Sequence, residues 1–320
     1  MEIVDLSPTS LCTTRLGFGC ANLTRLASRR GRLALLESAF EQGIRHFDVA
    51  RIYGLGTAER DLGVFARGRR DQLIVTTKFG MQPSRLSGRF ARLQSPARKL
   101  IARYPALRER VKGRYEAVHR RHYDVAGARA SLQASLRELR TDYVDILFVH
   151  DPAPEDAIDL PELCAFLEDA RRAGTVRAWG VAGEVRPCLA LKRSLPAAAV
   201  LQVRDDLLSP MRQMLDGQRP LVTFGVLSEA LRWVLAQASG SRERWWEAVG
   251  VDCADPDTAA SLLLEDALEV NAGGVVLFSS IRPERVRRAA EVAARVATGC
   301  EGGPLAAFRE MSAKQLALTS

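Results

Sequence analysis

The sequence has 320 residues and a mass of 35.1 kDa, and its hydrophobic fraction of 47% is sufficient for a sizeable globular core. The apolar runs fall short of the roughly 18 residues that a membrane-spanning helix needs, and the first residues lack the pattern of a signal peptide, so we expect neither a membrane segment nor secretion. The net charge of +8 is concentrated in residues 85–122, where twelve Lys and Arg face two Glu.

Short apolar runs alternate with amphipathic segments along the chain. The apolar runs predict eight strands, at 16–20, 44–49, 73–77, 144–149, 176–181, 199–203, 221–226 and 275–279. Apolar residues at helical spacing predict helices at 32–42, 58–65, 125–139, 160–173, 186–193, 257–271 and 284–297, the last being the final helix. Thr57 is predicted to be the N-cap of the second helix. Residues 1–14 are predicted to form a small hairpin.

Repeated strand–helix units indicate parallel strands, and eight such strands can close on themselves. The sequence therefore predicts an α/β protein with a (β/α)8 TIM-barrel fold, a single domain over 1–320, with the hairpin capping the barrel bottom. A basic insertion of about 81–123, expected to contain no strand, follows the third strand and could cover the active-site mouth. The alternative, an open doubly wound sheet, would need a G-x-G-x-x-G turn, but Gly17-Phe18-Gly19 is followed by Cys20-Ala21-Asn22.

Four ionisable side chains follow the ends of three successive predicted strands. Asp48 ends the second strand and Tyr53 lies in the loop after it, while Lys78 follows the third strand and His150 the fourth. Active sites of parallel barrels lie at the carboxyl ends of the strands, so we expect these side chains to meet at one rim. Taken singly, each has an ordinary alternative as a turn carboxylate, a packing tyrosine, a surface lysine or a rim histidine.

Three motifs carry a resemblance to the aldo-keto reductase family. They are Phe47-Asp48-Val49-Ala50-Arg51-Ile52-Tyr53-Gly54, Thr77-Lys78-Phe79-Gly80 and Asp142-Tyr143-Val144-Asp145-Ile146-Leu147-Phe148-Val149-His150-Asp151-Pro152. The chain resembles this family from the first predicted strand nearly to its end. The resemblance implies reduction of a carbonyl by a nicotinamide cofactor that binds in extended form across the barrel mouth, without a Rossmann domain.

The chemistry of carbonyl reduction explains why these residue types are needed. Hydride arriving at a carbonyl carbon leaves negative charge on the oxygen, which must receive a proton. The resemblance implies Tyr53 as the general acid/base, and we expect a nearby Lys78 to lower its pKa from about 10. Asp48 would hold Lys78 in place, and His150 would donate a hydrogen bond to the oxygen or orient the substrate.

The resemblance also implies a set of cofactor contacts. They are Gly19 and Cys20 after the first strand, Gln202 for the carboxamide, Phe224 for stacking on the nicotinamide, and Ser279, Ser280, Arg282 and Arg285 at the phosphates. The sequence departs from the family where Val181-Ala182-Gly183-Glu184 replaces a usual Ser-Asn, where Ser279 replaces a frequent Lys, and where Ala289 replaces a frequent Asn. We expect NADP as the cofactor, with NAD as the alternative.

The basic stretch 85–122 has three interpretations: a solvated insertion, a nucleic-acid surface, or a region that attracts an anionic ligand. It contains no recognisable nucleic-acid motif, so we favour the solvated insertion and expect a small-molecule carbonyl or sugar, not nucleic acid, as the partner. The alternative function is a cofactor-binding sensor or accessory subunit with little turnover. We expect the substrate pocket to involve the insertion and the region of Trp233, Trp245 and Trp246. The sequence does not indicate an oligomeric state.

The cysteines indicate the cellular compartment. Cys12, Cys20, Cys164, Cys188, Cys253 and Cys300 lie far apart and form no C-x-x-C pair. This spacing predicts reduced thiols in a cytoplasmic protein, and it argues against a metal site or a disulfide framework.

Overall fold

Eight parallel strands close into a barrel in the computed structural model, which describes residues 1–83, 119–209, 211–218, 220–299 and 303–319. The described strands are β1 (Ile3–Asp5), β2 (Cys12–Thr14), β3 (Leu16–Gly19), β4 (His46–Asp48), β5 (Ile74–Phe79), β6 (Met81–Pro83), β7 (His119–Arg121), β8 (Val144–His150), β9 (Val176–Gly183), β10 (Val200–Arg204), β11 (Leu221–Phe224) and β12 (Val275–Phe278). The barrel runs from β3 through β4, β5 and β8 to β12, which pairs with β3. The predicted (β/α)8 barrel is confirmed.

Side chains alternate between the barrel interior and the layer beneath the helices, as strand geometry requires. On β4, Phe47 points outward and packs against Phe18 and Phe65, with ring centroids 6.2 and 5.3 Å apart. His46 and Asp48 therefore lie on the opposite, interior face of the same strand. This alternation delivers the carboxylate of Asp48 to the barrel interior at the end of its strand.

The lower end of the barrel is closed by the antiparallel hairpin of β1 and β2, as predicted. Leu6 and Leu11 are almost fully buried and belong to an apolar cluster with residues at the beginnings of the barrel strands, including Ile74, Val200 and Val275. The hairpin thus seals the amino-terminal end of the barrel, and the opposite end remains for a site.

The helices follow the strands in the order expected of this fold. They are α1 (Arg29–Glu41), α2 (Thr57–Phe65), α3 (Val125–Leu139), α4 (Leu160–Arg172), α5 (Val185–Ser194), α6 (Ala230–Gly240), α7 (Arg242–Val249), α8 (Pro256–Val270), α9 (Pro283–Ala297) and α10 (Leu305–Thr319). Side-chain caps begin several of them, because Ser28, Asp124, Asp159 and Asp255 each accept a hydrogen bond from a backbone N–H in the first turn. Within the described residues no helix combines the length and the apolarity needed to cross a bilayer.

The structure corrects three details of the predicted helices. Thr57 is the first residue of α2 and not its cap, because Gly56 precedes it in a left-handed conformation with φ of 85°. The segment between β11 and α8 contains α6 and α7, which the apolar pattern did not predict. Helix α10 follows α9, so α9 is not the final helix. α10 buries Phe308 against Trp245 of α7, with ring centroids 6.2 Å apart.

The two ends of the basic insertion are joined by an antiparallel pair of strands. Met81 on β6 lies opposite Arg121 on β7, so the prediction of an insertion without strands was wrong at its ends. Residues 84–118, which carry most of the predicted basic charge, lie outside the described residues. The insertion therefore leaves and re-enters the barrel at one point, directly after the strand that carries Lys78.

Candidate active site

Asp48 and Lys78 form a buried ion pair at the upper end of the barrel. The Lys78 ammonium donates to both carboxylate oxygens of Asp48, at 2.5 and 2.6 Å, and to the backbone carbonyl of Val49 at 3.1 Å. Both residues are 3% exposed. The adjacent strands β4 and β5 place the two charges side by side, which satisfies each of them inside the barrel.

The Asp48 carboxylate is also the centre of a larger hydrogen-bond network. Its Oδ1 accepts from the Thr76 hydroxyl at 2.7 Å and from the Gln202 amide at 3.0 Å. Sequence reasoning missed the contribution of Thr76, although the period-two alternation places it on the same face of β5 as Lys78 and could have identified it. The network fixes the carboxylate orientation from three strands, because Gln202 lies on β10.

Tyr53 is held by an unusual turn between β4 and α2. Gly54, Leu55 and Gly56 follow it with φ angles of 58°, 56° and 85°, all in the left-handed region. A Cβ on Gly54 would lie 2.2 Å from the Thr24 side chain, so only glycine fits there. This turn reverses the chain immediately after Tyr53 and leaves the phenol at the rim.

A second buried ion pair braces the same turn. Glu59 is fully buried on α2, and it accepts from the Arg51 guanidinium at 2.6 Å and from the Thr77 hydroxyl at 2.8 Å. Arg51 lies between Asp48 and Tyr53, and Thr77 precedes Lys78. The pair therefore joins both catalytic candidate segments to the helix that packs behind them.

The four predicted side chains surround one space. The Lys78 ammonium lies 5.4 Å from the centre of the Tyr53 ring, and the Tyr53 and His150 rings meet edge to face with centroids 6.3 Å apart. Burial, followed by the negative charge of Asp48, raises the pKa of Tyr53 well above 10. The lowering of this pKa expected from Lys78 is therefore not found, because burial is the largest effect and the negative charge of Asp48 adds to it.

A cavity of about 420 Å³ opens above these side chains. Its lining includes the four candidates together with Gly19, Asn22, Met81, Asp151, Gly183, Glu184, Gln202, Phe224 and Ser279. None of the described lining residues is a tryptophan. Trp245 is buried in the separate core that α10 completes, Trp233 packs against that core, and Trp246 is exposed, so the expected tryptophan pocket was wrong.

The comparisons with known proteins agree with this architecture. The model of the Aldo/keto reductase family matches residues 15–208. This chain belongs to that family. A D-threo-aldose 1-dehydrogenase from a Pseudomonas species is 34% identical over 192 residues, which cover 56% of this chain and 53% of that protein. The chain thus spans about half the length of the curated relatives that it matches.

Solved structures of aldo-keto reductases have the same fold. The holo form of an aldo-keto reductase from Bacillus halodurans superposes with a TM-score of 0.71 at 18% identity, over 99% of this chain and 96% of that one. An aldo-keto reductase from Klebsiella pneumoniae in complex with NADPH gives a TM-score of 0.63 at 20% identity, over 92% and 90% of the two chains. At these identities the likeness establishes the fold, and the resemblance predicted from the motifs is confirmed.

Only some of the residues expected to contact the cofactor line this cavity. Gly19, Gln202, Phe224 and Ser279 line the cavity. Cys20 is completely buried and is not among the lining residues, so the structure does not support it as a direct contact. Burial raises the pKa of the Cys20 thiol, which keeps it protonated and unreactive.

A second, smaller cavity lies at the N-terminus of α9. Ser279 lines both cavities, and Ser280 and Arg285 line only the second. The Ser280 hydroxyl accepts from the Arg282 backbone N–H at 3.1 Å, and the Arg282 side chain is exposed. The Arg285 guanidinium lies 3.6 Å from the Asp257 carboxylate, which also pairs with Arg288.

The end of β9, where the family usually has Ser-Asn, contributes backbone atoms and one carboxylate to the lining of the cavity. Ala182, Gly183 and Glu184 face the cavity, and the Glu184 side chain is exposed. Gly183 lies close to Asp151, since a Cβ there would approach the Asp151 Cα to 2.9 Å. In the part of the chain that the structure describes, no group of three His, Cys, Asp or Glu could hold a metal ion.

Proposed function

We propose that this protein is an NADP-dependent oxidoreductase that transfers a hydride between nicotinamide and the carbonyl carbon of an aldehyde, a ketone or a sugar. The observation that carries the proposal is the buried Asp48–Lys78 pair beneath Tyr53 and His150, at the floor of a cavity of about 420 Å³. Membership of the aldo/keto reductase family supports the reaction class. The aldose dehydrogenase relative supports a sugar among the substrates.

The residues present fit a nicotinamide cofactor. Gln202 is 1% exposed and lines the cavity, and its Oε1 has no hydrogen-bond partner among the described residues. An amide N–H₂ group such as that of a carboxamide would satisfy this acceptor. Phe224 offers a ring to stack on, and Ser279 also lines the second cavity at the N-terminus of α9, where an anion would be stabilised. When bound, the nicotinamide supplies the hydride.

Tyr53 donates the proton in our mechanism. Its raised pKa keeps the phenol protonated, so it is ready to give a proton to the carbonyl oxygen as negative charge accumulates there. Lys78 lies close enough to stabilise the tyrosinate that remains, because the two groups are both removed from water. Asp48 keeps the ammonium in place throughout, and the reverse reaction uses the same groups with Tyr53 as the base.

His150 has a positioning and polarising role. Its ring stands edge to face with Tyr53 and both side chains line the cavity, so one carbonyl oxygen could accept a hydrogen bond from each. Preorganised donors of this kind stabilise developing negative charge without reorganisation during the reaction. The two donors define the point at which the substrate oxygen binds.

The test is the consumption of NADPH by the purified protein with a panel of aldehydes, ketones and aldoses. Tyr53→Phe should lower kcat by about 10²- to 10⁴-fold, the usual contribution of a general acid. Tyr143→Phe is the matched control, since Tyr143 stacks on Arg70, distant in the fold from this cavity, and should retain activity. Equal turnover of wild type and Tyr53→Phe on every substrate would refute the assignment.

The same assay decides between an enzyme and a cofactor-binding sensor or accessory subunit. The observation behind this alternative is that Ala182, Gly183 and Glu184 replace the usual carboxamide contacts. Binding of NADPH can be measured by the quenching of protein fluorescence. Binding without turnover of any carbonyl would favour the sensor. The complete Asp48–Lys78–Gln202 network favours the enzyme.

The choice of NADP over NAD rests on Arg282, the N-cap of α9, and on Arg285 in its first turn. Removing the Arg285 guanidinium should weaken binding of NADPH more than that of NADH, because only the former carries the additional phosphate. Arg287→Ala on the same helix is the control, since Arg287 pairs with Glu291 and does not line the second cavity. Equal losses for both cofactors in Arg285→Ala would show that Arg285 does not recognise the additional phosphate. A cytosolic location is part of the proposal, because the five described cysteines are free thiols.

A further inference from the structure

Tyr123 joins the return segment of the basic insertion to two strands of the candidate active site. It lies two residues after the end of β7, directly precedes Asp124, the cap of α3, and is 4% exposed. Its hydroxyl lies 2.8 Å from the backbone carbonyl oxygen of His150 and 3.0 Å from that of Asp151. A phenol has one proton, so this donor is shared between the last residue of β8 and the first residue beyond it.

The backbone directly after β8 is strained. Asp151 adopts a left-handed conformation with φ of 51°, which is unfavourable for a residue other than glycine. Its N–H bonds the carbonyl of Ala182 at 2.5 Å, and beyond this contact the chain leaves the barrel.

The ring of Tyr123 contacts the other catalytic strand. Gly80, two residues after Lys78, has φ of 106°, and a Cβ there would lie 2.1 Å from the ring atom Cε1 of Tyr123. The backbone N–H of His122 also bonds the Gly80 carbonyl at 2.8 Å. Tyr123 thus fills the gap between the end of β5, which carries Lys78, and the end of β8, which carries His150.

We infer that Tyr123 is a positioning residue, which sets the place of the His150 imidazole through the backbone of β8 and makes the return segment of the insertion part of the active site. It does not touch the cavity and is therefore not a catalytic residue. The kinetic consequence of this inference rests on the proposed function. Its structural consequence, an effect on the environment of His150, can be tested without turnover.

The test variant is Tyr123→Phe, which removes the hydroxyl and keeps the ring that packs on Gly80. A lost hydrogen bond of ordinary strength predicts a fall in kcat of roughly 3- to 10-fold, with little change in the affinity for NADPH. Tyr143→Phe is again the control. In a double-mutant cycle, the effect of Tyr123→Phe should disappear in a His150→Gln background, because Tyr123 acts through His150. Equal losses in both backgrounds would overturn the inference.

Nuclear magnetic resonance of the imidazole groups gives a reading that needs no substrate. The chain has four histidines, so the His150 signal can be identified from its loss in His150→Gln. Tyr123→Phe should shift that signal and its titration, and leave the His46 signal unmoved. An unchanged His150 signal would overturn the inference even if the enzyme is active. A shifted signal in a protein without turnover would retain the inference and refute the proposed function.

Discussion

The buried imidazole of His46 should make the stability of this protein depend on pH. His46 lies on β4 with no exposed surface, opposite Gly17 and Ile74, and neither ring nitrogen has a hydrogen-bond partner among the described residues. Burial lowers its pKa from 6.5 to about 4, and the charges of Asp48 and Asp145 only partly oppose this effect. The folded protein therefore keeps this ring neutral.

The sign and size of the effect follow from proton linkage. Below pH 6.5 the unfolded chain binds a proton at His46, whereas the folded chain does so only near pH 4. Between these values the unfolded state holds more protons, so the free energy of unfolding falls as the pH falls. At 1.36 kcal/mol per pH unit, the loss is roughly 3 kcal/mol, a large share of the typical total of 5–15 kcal/mol. Above pH 6.5 the group contributes no pH dependence.

Urea denaturation at a series of pH values between 7 and 4 would measure this loss. His46→Leu removes the titrating group and keeps an apolar side chain, so its unfolding free energy should fall less steeply over this range than that of wild type. His122→Gln, a change at a more exposed histidine, is the control for the loss of an imidazole outside the barrel. Parallel curves for wild type and His46→Leu would refute the reasoning, whatever the two stabilities are at pH 7.

Two further predictions concern the site. Lys78→Met leaves the Asp48 carboxylate buried without its ammonium, which should lower the free energy of unfolding in urea by about 3–5 kcal/mol. Adding Asp48→Asn should restore part of this loss. No recovery in the double variant would contradict the pairing. Gly54→Ala forces a Cβ against Thr24 and should destabilise the chain by about 1–3 kcal/mol more than Gly68→Ala. Gly68 also has a positive φ but open space around it, so equal losses in thermal unfolding would show that only backbone strain matters.

The barrel could be predicted from the sequence because each of its strands is a short apolar run bounded by turn residues. Period-two and helical patterns are local properties, and they located all eight barrel strands to within a few residues of their observed bounds. Helix α10 was missed because the residues that it packs against are distant in the sequence. Leu305, Phe308 and Met311 are buried against a core that includes Trp245, and nothing near them in the sequence indicates that partner.

In the candidate site too, local sequence patterns predicted some features, whereas contacts between residues distant in the sequence were missed. Strand ends predicted which side chains would meet, since parallel strands bring their carboxyl ends together. Gln202 was predicted as a cofactor contact, yet its amide nitrogen bonds Asp48 and only its oxygen remains available. Tyr123 was not singled out, because a tyrosine at the end of an insertion has no signature until the fold brings His150 and Gly80 to it.

The pKa of Tyr53 shows that a lysine beside a phenol does not by itself determine the electrostatics of a site. A lysine beside a phenol predicts a lowered pKa if the lysine is the nearest net charge. Here the loss of water dominates, and the negative charge of Asp48, which contacts the ammonium with both oxygens, adds to it. The resting state therefore favours the neutral phenol, as the proposed donation of a proton to a carbonyl requires. In the proposed reaction, the Lys78 ammonium would act only when the phenol ionises.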